Sequence, residues 1–510
     1  MPPQPPTPNP HLATRRQALL EHLSRLLPDP GQRATFDEAM SAEPTPALRL
    51  NPLMSQTRLL KPALSDFAEA VPWCEHAFVL PPGRCRLGRC LEHALGALYI
   101  QAKATTLAVE ALDPQPGERV LDMAAAPGGK ASHIAAAMAN RGLLVANEPH
   151  RRRLPPLVGN LERLGVHNAV FTQSTGTLLA RHFHNFFDRV LLDAPCSGDG
   201  ILCKDEALLR YWSPDDAARK GQIQIGLLRA AFHMLRPGGV LVYSTCSLST
   251  EENEDVVAAL FHRYPGQVDL LPLAVEGLEP APLPPTVAAA YPAEFAHMAR
   301  IWPHLHRTEG AFVARLRKTG DRTTWRLCEG DLGRLIEEES DFRAEAPTDG
   351  TPGPDAAAEV ARIEVIRALE NRWNFRLPPS DSNEVAVEGR RVNIRPRSSS
   401  AIKSHLPGFL RAGMRLANRH KEYAYLSQQS VTLWGHAMDG PCVELTWPQV
   451  QQAFRDGQVQ LPLPLSLPRG DVICRFGPWT VCRGLLDGAV LKASLPKALR
   501  APELERLTNV

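Results

Sequence analysis

The strongest constraint on the fold is an alternation of short apolar segments with helical stretches between residues 118 and 265. The apolar segments that predict strands lie at residues 120–123, 143–147, 169–172, 189–192 and 240–244. Such an alternation is typical of parallel strands whose connecting helices cover both faces of one sheet. The sequence therefore predicts an α/β core in this part of the chain.

The chain of 510 residues is long enough for about three domains. A Pro-rich start, MPPQPPTPNP, precedes a basic N-terminal lobe, and residues 11–27 and 92–112 have helical patterns. Residues 329–355 contain nine acidic and two basic residues with Pro and Gly, which is typical of a linker. After it, Gly and Pro turns between short Val, Leu and Trp runs favour a small β-rich domain. We predict four segments: a tail and N-terminal lobe at 1–92, the α/β core at 93–318, an acidic linker at 319–360, and a basic segment with a β-rich domain at 361–510.

The charge composition is balanced overall and asymmetric locally. Lys and Arg number 57 and Asp and Glu 55, so the formal net charge is +2. This balance excludes a globally basic nucleic-acid coat protein. Residues 390–421, however, contain nine Lys or Arg and no Asp or Glu. We predict phosphate contacts there, and a solvated basic face is the alternative.

Several classes of protein are disfavoured by what the sequence lacks. No apolar run is long enough for a transmembrane helix, and the first residues lack the pattern of a secretory signal. Ten cysteines are too few for a disulfide scaffold, and neither C-x-x-C nor H-E-x-x-H occurs. We therefore expect a cytoplasmic protein without a metal ion. Cys74, Cys85 and Cys90 are expected to pack as small apolar side chains.

A glycine-containing loop, AAAPGGK at 124–130, follows the first predicted strand of the core and precedes a helix. Such a turn lets a ligand approach the backbone and the helix N-terminus. Glu148, at the end of the next strand, lies where an acidic side chain typically binds ribose hydroxyls. The loop lacks both the G-x-G-x-x-G spacing of dinucleotide sites and the G-x-x-x-x-G-K-[ST] spacing of triphosphate sites. S-adenosylmethionine, which has no phosphates, fits best, and a tight turn without a ligand is the alternative.

Two cysteines each follow a predicted strand of the core. Asp193 and Cys196 lie in DAPCSGDG after the strand at 189–192, and Cys246 lies in STCS after the strand at 240–244. Ligands of an open parallel sheet bind beyond the carboxyl ends of its strands, so we expect these side chains to share a crevice with the glycine loop. Structural burial of both cysteines is the alternative.

A thiolate beside a methyl donor suits methylation of a pyrimidine at carbon 5. That carbon becomes nucleophilic only after a thiolate adds to carbon 6 and converts the ring to an enamine. Carbon 5 then takes the methyl group, a base removes its proton, and the thiolate is eliminated. Asp193 is placed to donate a hydrogen bond or a proton to the cytosine ring nitrogen, and a strand-end cap is its alternative role. The residues alone leave open which cysteine attacks.

AAAPGGK at 124–130, DAPCSGDG at 193–200 and STCS at 244–247 together resemble the motifs of the Sun/Fmu family of RNA cytosine carbon-5 methyltransferases. The similarity extends to Arg49, Asn51, Asn160, Arg163, Gly165, Trp212, Ser213, Pro214, Glu251, Glu252 and Asn253. It implies a Rossmann-like S-adenosylmethionine-dependent methyltransferase core, an N-terminal RNA-binding lobe and a β-rich, PUA-like C-terminal domain.

The resemblance also implies roles for individual residues. It implies Cys246 as the nucleophile and Cys196 as a helper in product release, with Asp193 as the third catalytic residue. It implies cofactor contacts from the glycine loop and from polar side chains, namely Ala124, Ala125, Ala126, Pro127, Gly128, Gly129, Lys130, Glu148, Thr175 and Asp193. Thr175 stands where the family usually has an Asp. Pro155 and Pro156 predict that the next helix starts late, because proline belongs only in a helix's first turn.

The resemblance implies that the partner is 16S rRNA near the decoding site, or the 30S subunit, and that the protein is a monomer. A 23S rRNA or tRNA cytosine is the alternative substrate. The alternatives from other classes are a non-catalytic RNA-binding assembly factor, which the intact cysteines argue against, and a dinucleotide-dependent oxidoreductase, which the glycine spacing argues against. Tyr423, Trp434 and Trp479 are candidates for stacking on bases, although core packing is the commoner fate of such side chains.

Overall fold

The computed structural model describes residues 10–43, 45–83, 86–204, 206–273, 275, 278, 283–320, 356–377, 380–403, 405–420, 423–462, 467, 469–496, 499 and 503–508. Nearly all of the predicted Pro-rich tail, most of the predicted linker at 319–360, and Cys85 and Lys421 lie outside these residues. Within the described part of the chain, no helix has the length and apolar character needed to cross a membrane.

The N-terminal part contains a small antiparallel sheet and short helices. The helices are Pro10–Leu23 (α1), Pro30–Ser41 (α2), Thr57–Ser65 (α3) and Leu91–Ala94 (α4), and the strands are Ala47–Leu50 (β1), Glu69–Ala70 (β2), Ala77–Val79 (β3) and Leu98–Ile100 (β4). The strand order is β2-β3-β1-β4. Asp29 caps α2 by accepting a hydrogen bond from the Gly31 amide, and Pro30 occupies the first turn. Helix α1 ends earlier than the predicted end at residue 27.

The prediction of one helix over residues 92–112 is wrong. Helix α4 ends at Ala94, strand β4 follows, and a second helix, α5, spans Lys103–Leu112. Gly96 has a φ of +84°, and a side chain there would meet the Arg163 carbonyl at 2.0 Å. The chain leaves the helix at this close backbone approach, and β4 then pairs with β1. The N-terminal sheet therefore extends beyond residue 92.

The central part contains the α/β core. Its further helices are Gly129–Ala137 (α6), Leu154–Arg163 (α7), Gly176–Leu179 (α8), Pro214–Met234 (α9), Glu254–Arg263 (α10), Pro285–Ala288 (α11) and Pro303–His306 (α12). Its strands are Arg119–Asp122 (β5), Leu143–Asn147 (β6), Ala169–Thr172 (β7), Phe187–Asp193 (β8), Leu235–Thr245 (β9), Val268–Leu271 (β10), Ala299–Ile301 (β11) and Ala311–Lys318 (β12). Pro155 and Pro156 lie in the first turn of α7, which confirms the expectation for that helix.

The five predicted core strands form the parallel centre of this sheet. They lie in the order β9-β8-β5-β6-β7, and β12 and β10 continue the sheet antiparallel beyond β9. The chain builds outward from β5 to β7 and then returns to β8 on the other side of β5. A crevice therefore opens between the carboxyl ends of β5 and β8, where the strand order reverses.

The C-terminal part contains two further sheets. Its helices are Ala356–Trp373 (α13), Ser399–Lys403 (α14), Gln428–Trp434 (α15) and Trp447–Asp456 (α16). Its strands are Asn383–Glu388 (β13), Arg391–Pro396 (β14), Phe409–Ala412 (β15), Met414–His420 (β16), Tyr423–Leu426 (β17), Cys442–Glu444 (β18), Gln458–Gln460 (β19), Gly470–Phe476 (β20), Trp479–Asp487 (β21) and Val490–Ala493 (β22). The sheet orders are β13-β14-β16-β17 and β18-β20-β21-β22-β19. Helix α13 begins inside the segment predicted as a linker.

Strand β15 joins the C-terminal part to the core, because it pairs antiparallel with β7 and becomes an edge strand of the central sheet. The Gln173 amide donates to the Gly408 carbonyl at 2.9 Å, and the Gly413 amide donates to the Ala169 carbonyl at 2.7 Å. The strand thus covers the edge that β7 would otherwise expose.

The N-terminal and C-terminal parts also share one hydrophobic core. Leu48 and Leu98 belong to the same buried cluster as Trp373, Leu433 and Trp479. Trp479 is 1% exposed and Trp434 is 9% exposed, so core packing accounts for both of these tryptophans. The two parts, which are far apart in the sequence, therefore stabilise each other by burying apolar surface together.

We expect Gly408→Ala to destabilise the protein more than a matched glycine substitution. Gly408 has a φ of +67°, and a Cβ atom there would lie 2.0 Å from the Gln173 carbonyl oxygen. Gly389 has a similar φ of +61° but has nothing within 4 Å of the corresponding position. Urea unfolding should show a loss of about 1–2 kcal/mol for Gly389→Ala and about 1–3 kcal/mol more for Gly408→Ala. Equal losses would contradict a tight junction between β15 and β7.

Candidate active site

The two predicted cysteines lie in contact beyond the ends of β8 and β9. Asp193 of β8 pairs with Ser244 of β9, so the loops that follow the two strands start side by side. The Cys246 amide donates to the Cys196 sulfur at 3.3 Å, and both side chains are half-buried. The interaction with Cys246, followed by burial, raises the pKa of the Cys196 thiol well above its ordinary value. Cys196 is therefore held as a thiol.

Two buried carboxylates hold the cysteine loops together, each belonging to one loop and binding the other. Asp199, from the Cys196 loop, accepts hydrogen bonds from the Leu248 amide at 2.6 Å and the Ser249 hydroxyl at 2.7 Å. Glu252, which follows Cys246, accepts from the Ser197 amide at 3.0 Å. Both carboxylates are 0% exposed. Burial, followed by the charge of Asp199, raises the pKa of Glu252 to about 7.

Asp193 is fixed from two sides at the end of β8. Lys130 donates to its Oδ2 at 2.8 Å and Ser244 donates to its Oδ1 at 2.9 Å. Burial lowers the pKa of Lys130, but the Asp193 carboxylate outweighs burial and raises that pKa overall. Lys130 also interacts electrostatically with Cys246. The glycine loop thus places a cation against Asp193, in the crevice next to the cysteine loops.

The glycine loop is held against its neighbours in a shape that side chains would disturb. Gly128 has a φ of +111°, and a Cβ atom there would meet Leu161 at 2.7 Å. Asn160 donates to the Pro127 carbonyl at 2.9 Å, and Arg153 donates to the Ala126 carbonyl at 2.6 Å. The Ala126–Pro127 peptide bond is cis. Asn160 of α7 and Arg153, which immediately precedes that helix, therefore fix the path of residues 126–128.

The crevice beside this loop offers acceptors that fit S-adenosylmethionine. Glu148 is 0% exposed; its Oε1 accepts from the His150 amide, and its Oε2 has no hydrogen-bond partner among the described residues. Arg153 lies 3.2 Å from that oxygen as an ion pair without hydrogen-bond geometry. Asp122, at the end of β5, likewise has an unpartnered buried oxygen, Oδ2. Ribose hydroxyls and an amino group are donors, so these free acceptors suit that cofactor.

Thr175, the departure from the family pattern, follows β7 and is exposed. Its hydroxyl caps helix α8 by accepting from the Leu178 amide at 3.2 Å. Thr175 has a local structural role, and its predicted contact with the cofactor stays a prediction.

The N-terminal helices brace the cysteine loops from outside. Arg25, just after α1, donates to the Thr250 hydroxyl at 2.8 Å, and His22 of α1 lies 3.3 Å from the Glu251 carboxylate. Leu19 and Phe36 pack in one cluster with Leu248. The N-terminal part therefore helps to fix the position of the loop that carries Cys246.

Four buried residues of this site are absent from the predicted set: Asp122, Asp199, Ser244 and Glu252. Asp199, Ser244 and Glu252 lie in motifs that resemble those of the family, but the motifs do not show which groups these side chains bind. Asp122 is the last residue of β5, where the strand-end rule used for Asp193 applies equally.

A separate cluster brings Cys74, Glu110 and His133 within metal-binding distance of one another. His133 Nε2 lies 3.2 Å from the Glu110 carboxylate and 4.0 Å from the Cys74 sulfur. Burial, followed by the positive charge of Arg49, lowers the pKa of His133 to about 4. The cluster joins Cys74 of the N-terminal part to Glu110 of α5 and His133 of α6, and the positive charge of Arg49 beside it opposes the binding of a cation. Cys90 packs in a different apolar cluster.

A Rossmann-like sheet with a glycine loop beside its switch point and an acidic residue after the next strand defines an S-adenosylmethionine-dependent methyltransferase. Two sequence profiles match the chain: 16S rRNA methyltransferase RsmB/F at residues 109–317, and the N-terminal domain of 16S rRNA methyltransferase RsmF at residues 16–103. The chain belongs to the RsmB/F family of 16S rRNA methyltransferases.

Individual relatives agree with this assignment. Ribosomal RNA small subunit methyltransferase F of Aeromonas salmonicida is 32% identical over 94% of this chain and 96% of its own. The protein of the same name from an Enterobacter species is 38% identical over 96% of this chain and 95% of its own. The crystal structure of a methyltransferase homolog protein from Pyrococcus horikoshii is 33% identical, has a TM-score of 0.53, and covers 61% of this chain and 100% of its own. The predicted family resemblance, fold class, methyltransferase activity and S-adenosylmethionine cofactor are thus confirmed.

The titration of Asp122 gives a test of how deeply this carboxyl is buried. Burial, followed by the charge of Asp193, raises its pKa from 3.8 to about 7. The fold therefore favours the protonated form, and the stability it contributes is present below about pH 4 and lost as the pH rises to about 7. We expect urea unfolding to show that wild type loses about 2–3 kcal/mol more than Asp122→Asn between about pH 4.5 and about pH 6.5.

Asp439→Asn is the control, because Asp439 is an exposed aspartate of the C-terminal part. This variant should follow the wild-type dependence on pH. Parallel wild-type and Asp122→Asn curves would show that the Asp122 carboxyl titrates as if it were in water.

Proposed function

We propose that this protein methylates carbon 5 of a cytosine in 16S rRNA, in the region of the decoding site, through a covalent bond between Cys246 and carbon 6. The observation that carries the proposal is the contact of two cysteines at the ends of adjacent strands, next to a lysine–aspartate ion pair. A methyl transfer to nitrogen or oxygen has no use for this pair of sulfurs. Carbon 5 of a pyrimidine requires a nucleophile at carbon 6 first.

Cys246 is the attacking sulfur in this proposal. The resemblance to the family assigns the attack to the cysteine that follows β9, and the ion pair of Lys130 with Asp193 lies in the same crevice. The thiolate forms a bond to carbon 6, and the ring electrons move toward carbon 5. Asp193 faces the ring nitrogen of the cytosine and stabilises the adduct by hydrogen bonding, with Lys130 and Ser244 fixing its orientation.

Release completes the reaction. When bound, S-adenosylmethionine supplies an electrophilic methyl group, which becomes the substituent of carbon 5. Removal of the carbon-5 proton then breaks the bond between sulfur and carbon 6 and restores both the thiolate and the aromatic ring. We assign Cys196 to this elimination, because its thiol lies against the Cys246 loop and is not itself a nucleophile.

We further propose that the segments predicted at 1–92 and 361–510 hold the RNA while the core carries out the chemistry. The target base has to leave its helix, or be unpaired already, to reach the sulfur of Cys246. The proposed partner is 16S rRNA or the 30S subunit, the proposed assembly is a monomer, and the proposed compartment is the cytoplasm, where ribosomal subunits are modified.

Cysteine substitutions test the assignment of roles. Wild type, Cys246→Ala and Cys196→Ala are incubated with tritiated S-adenosylmethionine and unmodified 16S rRNA, 30S subunits, 23S rRNA or tRNA. We expect Cys246→Ala to form neither 5-methylcytosine nor an adduct, because no thiolate reaches carbon 6. Cys196→Ala should accumulate a protein–RNA adduct on denaturing gels, because release fails.

Cys442→Ala serves as the control, since this half-buried cysteine lies in the C-terminal part and should leave methylation unchanged. An adduct in Cys246→Ala would reverse the assigned roles. Methylation of 23S rRNA or tRNA alone would overturn the proposed substrate.

The cofactor contact of Glu148 gives a second test. We expect Glu148→Ala to weaken S-adenosylmethionine binding by about 10- to 100-fold in isothermal titration calorimetry, because a buried acceptor for ribose hydroxyls is lost. Thr175→Ala should weaken binding less, since the Thr175 hydroxyl is exposed and caps a helix. Glu444 is an exposed glutamate of the C-terminal part, so the Glu444→Ala variant should bind S-adenosylmethionine as wild type does. Unchanged affinity in Glu148→Ala would remove this residue from the cofactor site.

A further inference from the structure

A groove with a volume of about 280 Å³ lies where the C-terminal part meets the central sheet. Its basic side chains are Arg391, Lys403, Arg411 and Arg415. They come from four different elements: β14, α14, β15 and β16. We call this cavity the junction groove, because its lining includes residues of β15, the strand that pairs with β7.

The positive charge of the junction groove is not neutralised within the described part of the protein. Arg411 is paired with Glu162 at 2.8 Å, and Glu388, which also lines the groove, is bound to Arg395 at 2.9 Å. Arg391, Lys403 and Arg415 form no ion pair with any described carboxylate. Three cations thus face one cavity without an ion-pair partner among the described residues.

The mutual repulsion of these cations is visible at Arg415. Burial, followed by the charges of Arg391 and Arg411, lowers the pKa of Arg415, and the charge of Glu162 only partly opposes them. Placing like charges this close is unfavourable unless an anion joins them. Arginine binds phosphate oxygens through its planar set of donors, so phosphate groups are the ligands that this arrangement suits.

The rim of the groove suits a nucleic acid more than a small anion. Leu410 is 47% exposed, and Lys403 lies 5.5 Å from the centre of the Phe409 ring. Apolar side chains next to phosphate-binding cations give a nucleotide a surface for its ribose or base. A small anion would gain nothing from this apolar rim.

One end of the groove, at Phe409, reaches the carboxyl end of β7, while Arg411 is paired with Phe171 in the middle of that strand. Phe409, at the start of β15, is paired with Thr172, the last residue of β7. The carboxyl end of β7 lies at the same sheet edge as the ends of β8 and β9, which carry the two cysteines. Four strand spacings separate β15 from β8, so the groove is about 20 Å from Asp193 across the sheet.

We propose that the junction groove binds phosphate groups of the rRNA backbone several nucleotides away from the target cytosine. This inference rests on the proposed function in taking rRNA as the substrate. The groove would align the RNA across the edge of the sheet and leave the target base free to enter the crevice beside the glycine loop.

The test measures RNA binding by the full-length protein without cofactor, from 50 to 200 mM salt, using an unmodified 16S rRNA transcript. Arg391→Gln combined with Arg415→Gln removes two phosphate contacts. We expect the slope of log affinity against log salt to become shallower by about 1.4–1.8. In methylation assays, KM for the RNA should rise while kcat and the affinity for S-adenosylmethionine stay as in wild type.

The matched control combines Arg455→Gln with Arg469→Gln, which removes the same charge from exposed positions of the C-terminal part. This control should keep the wild-type slope. An equal change in both double variants would mean that only net charge matters, and an unchanged slope in Arg391→Gln/Arg415→Gln would exclude the groove from RNA binding. Either result overturns the proposal.

Lys403→Gln keeps the test valid if the double variant unfolds, because Lys403 is exposed and its change leaves the core intact. Its slope should change by about 0.7–0.9. These binding experiments need no turnover, so they read out the groove even if the proposed reaction fails. Conversely, cytosine methylation by wild type with unaltered slopes in all variants would leave the reaction standing and remove the groove.

Discussion

The geometry of the active site depends on two buried carboxyl groups, one on each cysteine loop, that each accept hydrogen bonds from the other loop. Asp199 and Glu252 are each removed from water, which is costly for a carboxylate unless its oxygens are hydrogen-bonded. Each accepts at least one hydrogen bond from the opposite loop, and Glu252 also accepts one from Gln224 of α9. Separating the two loops would therefore break hydrogen bonds to both buried carboxyl groups.

The same logic extends outward from the cysteines. Arg25, just after α1, binds the loop that follows Cys246, and α2 contributes Phe36 to the apolar cluster that contains Leu248. The N-terminal part in turn shares a core with the C-terminal part, which is also bound to the central sheet through β15. The segments expected to contact RNA are thus mechanically continuous with the catalytic loops. The parts proposed to bind the RNA and the loops proposed to act on the target base are therefore held in a fixed relation by direct contacts.

The sequence predicted those features that depend on neighbours along the chain. Each core strand, the glycine loop and the two strand-end cysteines are local patterns, and parallel pairing places their ends at one edge. Hydrogen-bond partners that are distant in the sequence could not be predicted. The residues around Asp199 do not indicate that its donors follow Cys246. The helix expected over residues 92–112 failed for the same reason, because Gly96 meets the backbone of Arg163 and β4 pairs with β1. The pairing of β15 with β7 likewise depends on tertiary contacts, and the four residues of β15 do not predict it.

The two sulfurs differ in surroundings more than in position, and this difference explains how one site can hold two cysteines with different tasks. Cys196 accepts a hydrogen bond from a backbone amide, yet its contact with Cys246 and its burial keep its pKa high. Cys246 lies within the field of Lys130, whose own charge is secured by Asp193. Only one of two adjacent thiols can ionise readily, because a second negative charge beside the first would be strongly repelled. In the proposed mechanism Cys246, which follows β9, is the sulfur that attacks, and the ion pair of Lys130 with Asp193 lies in the same crevice and holds the aspartate in place.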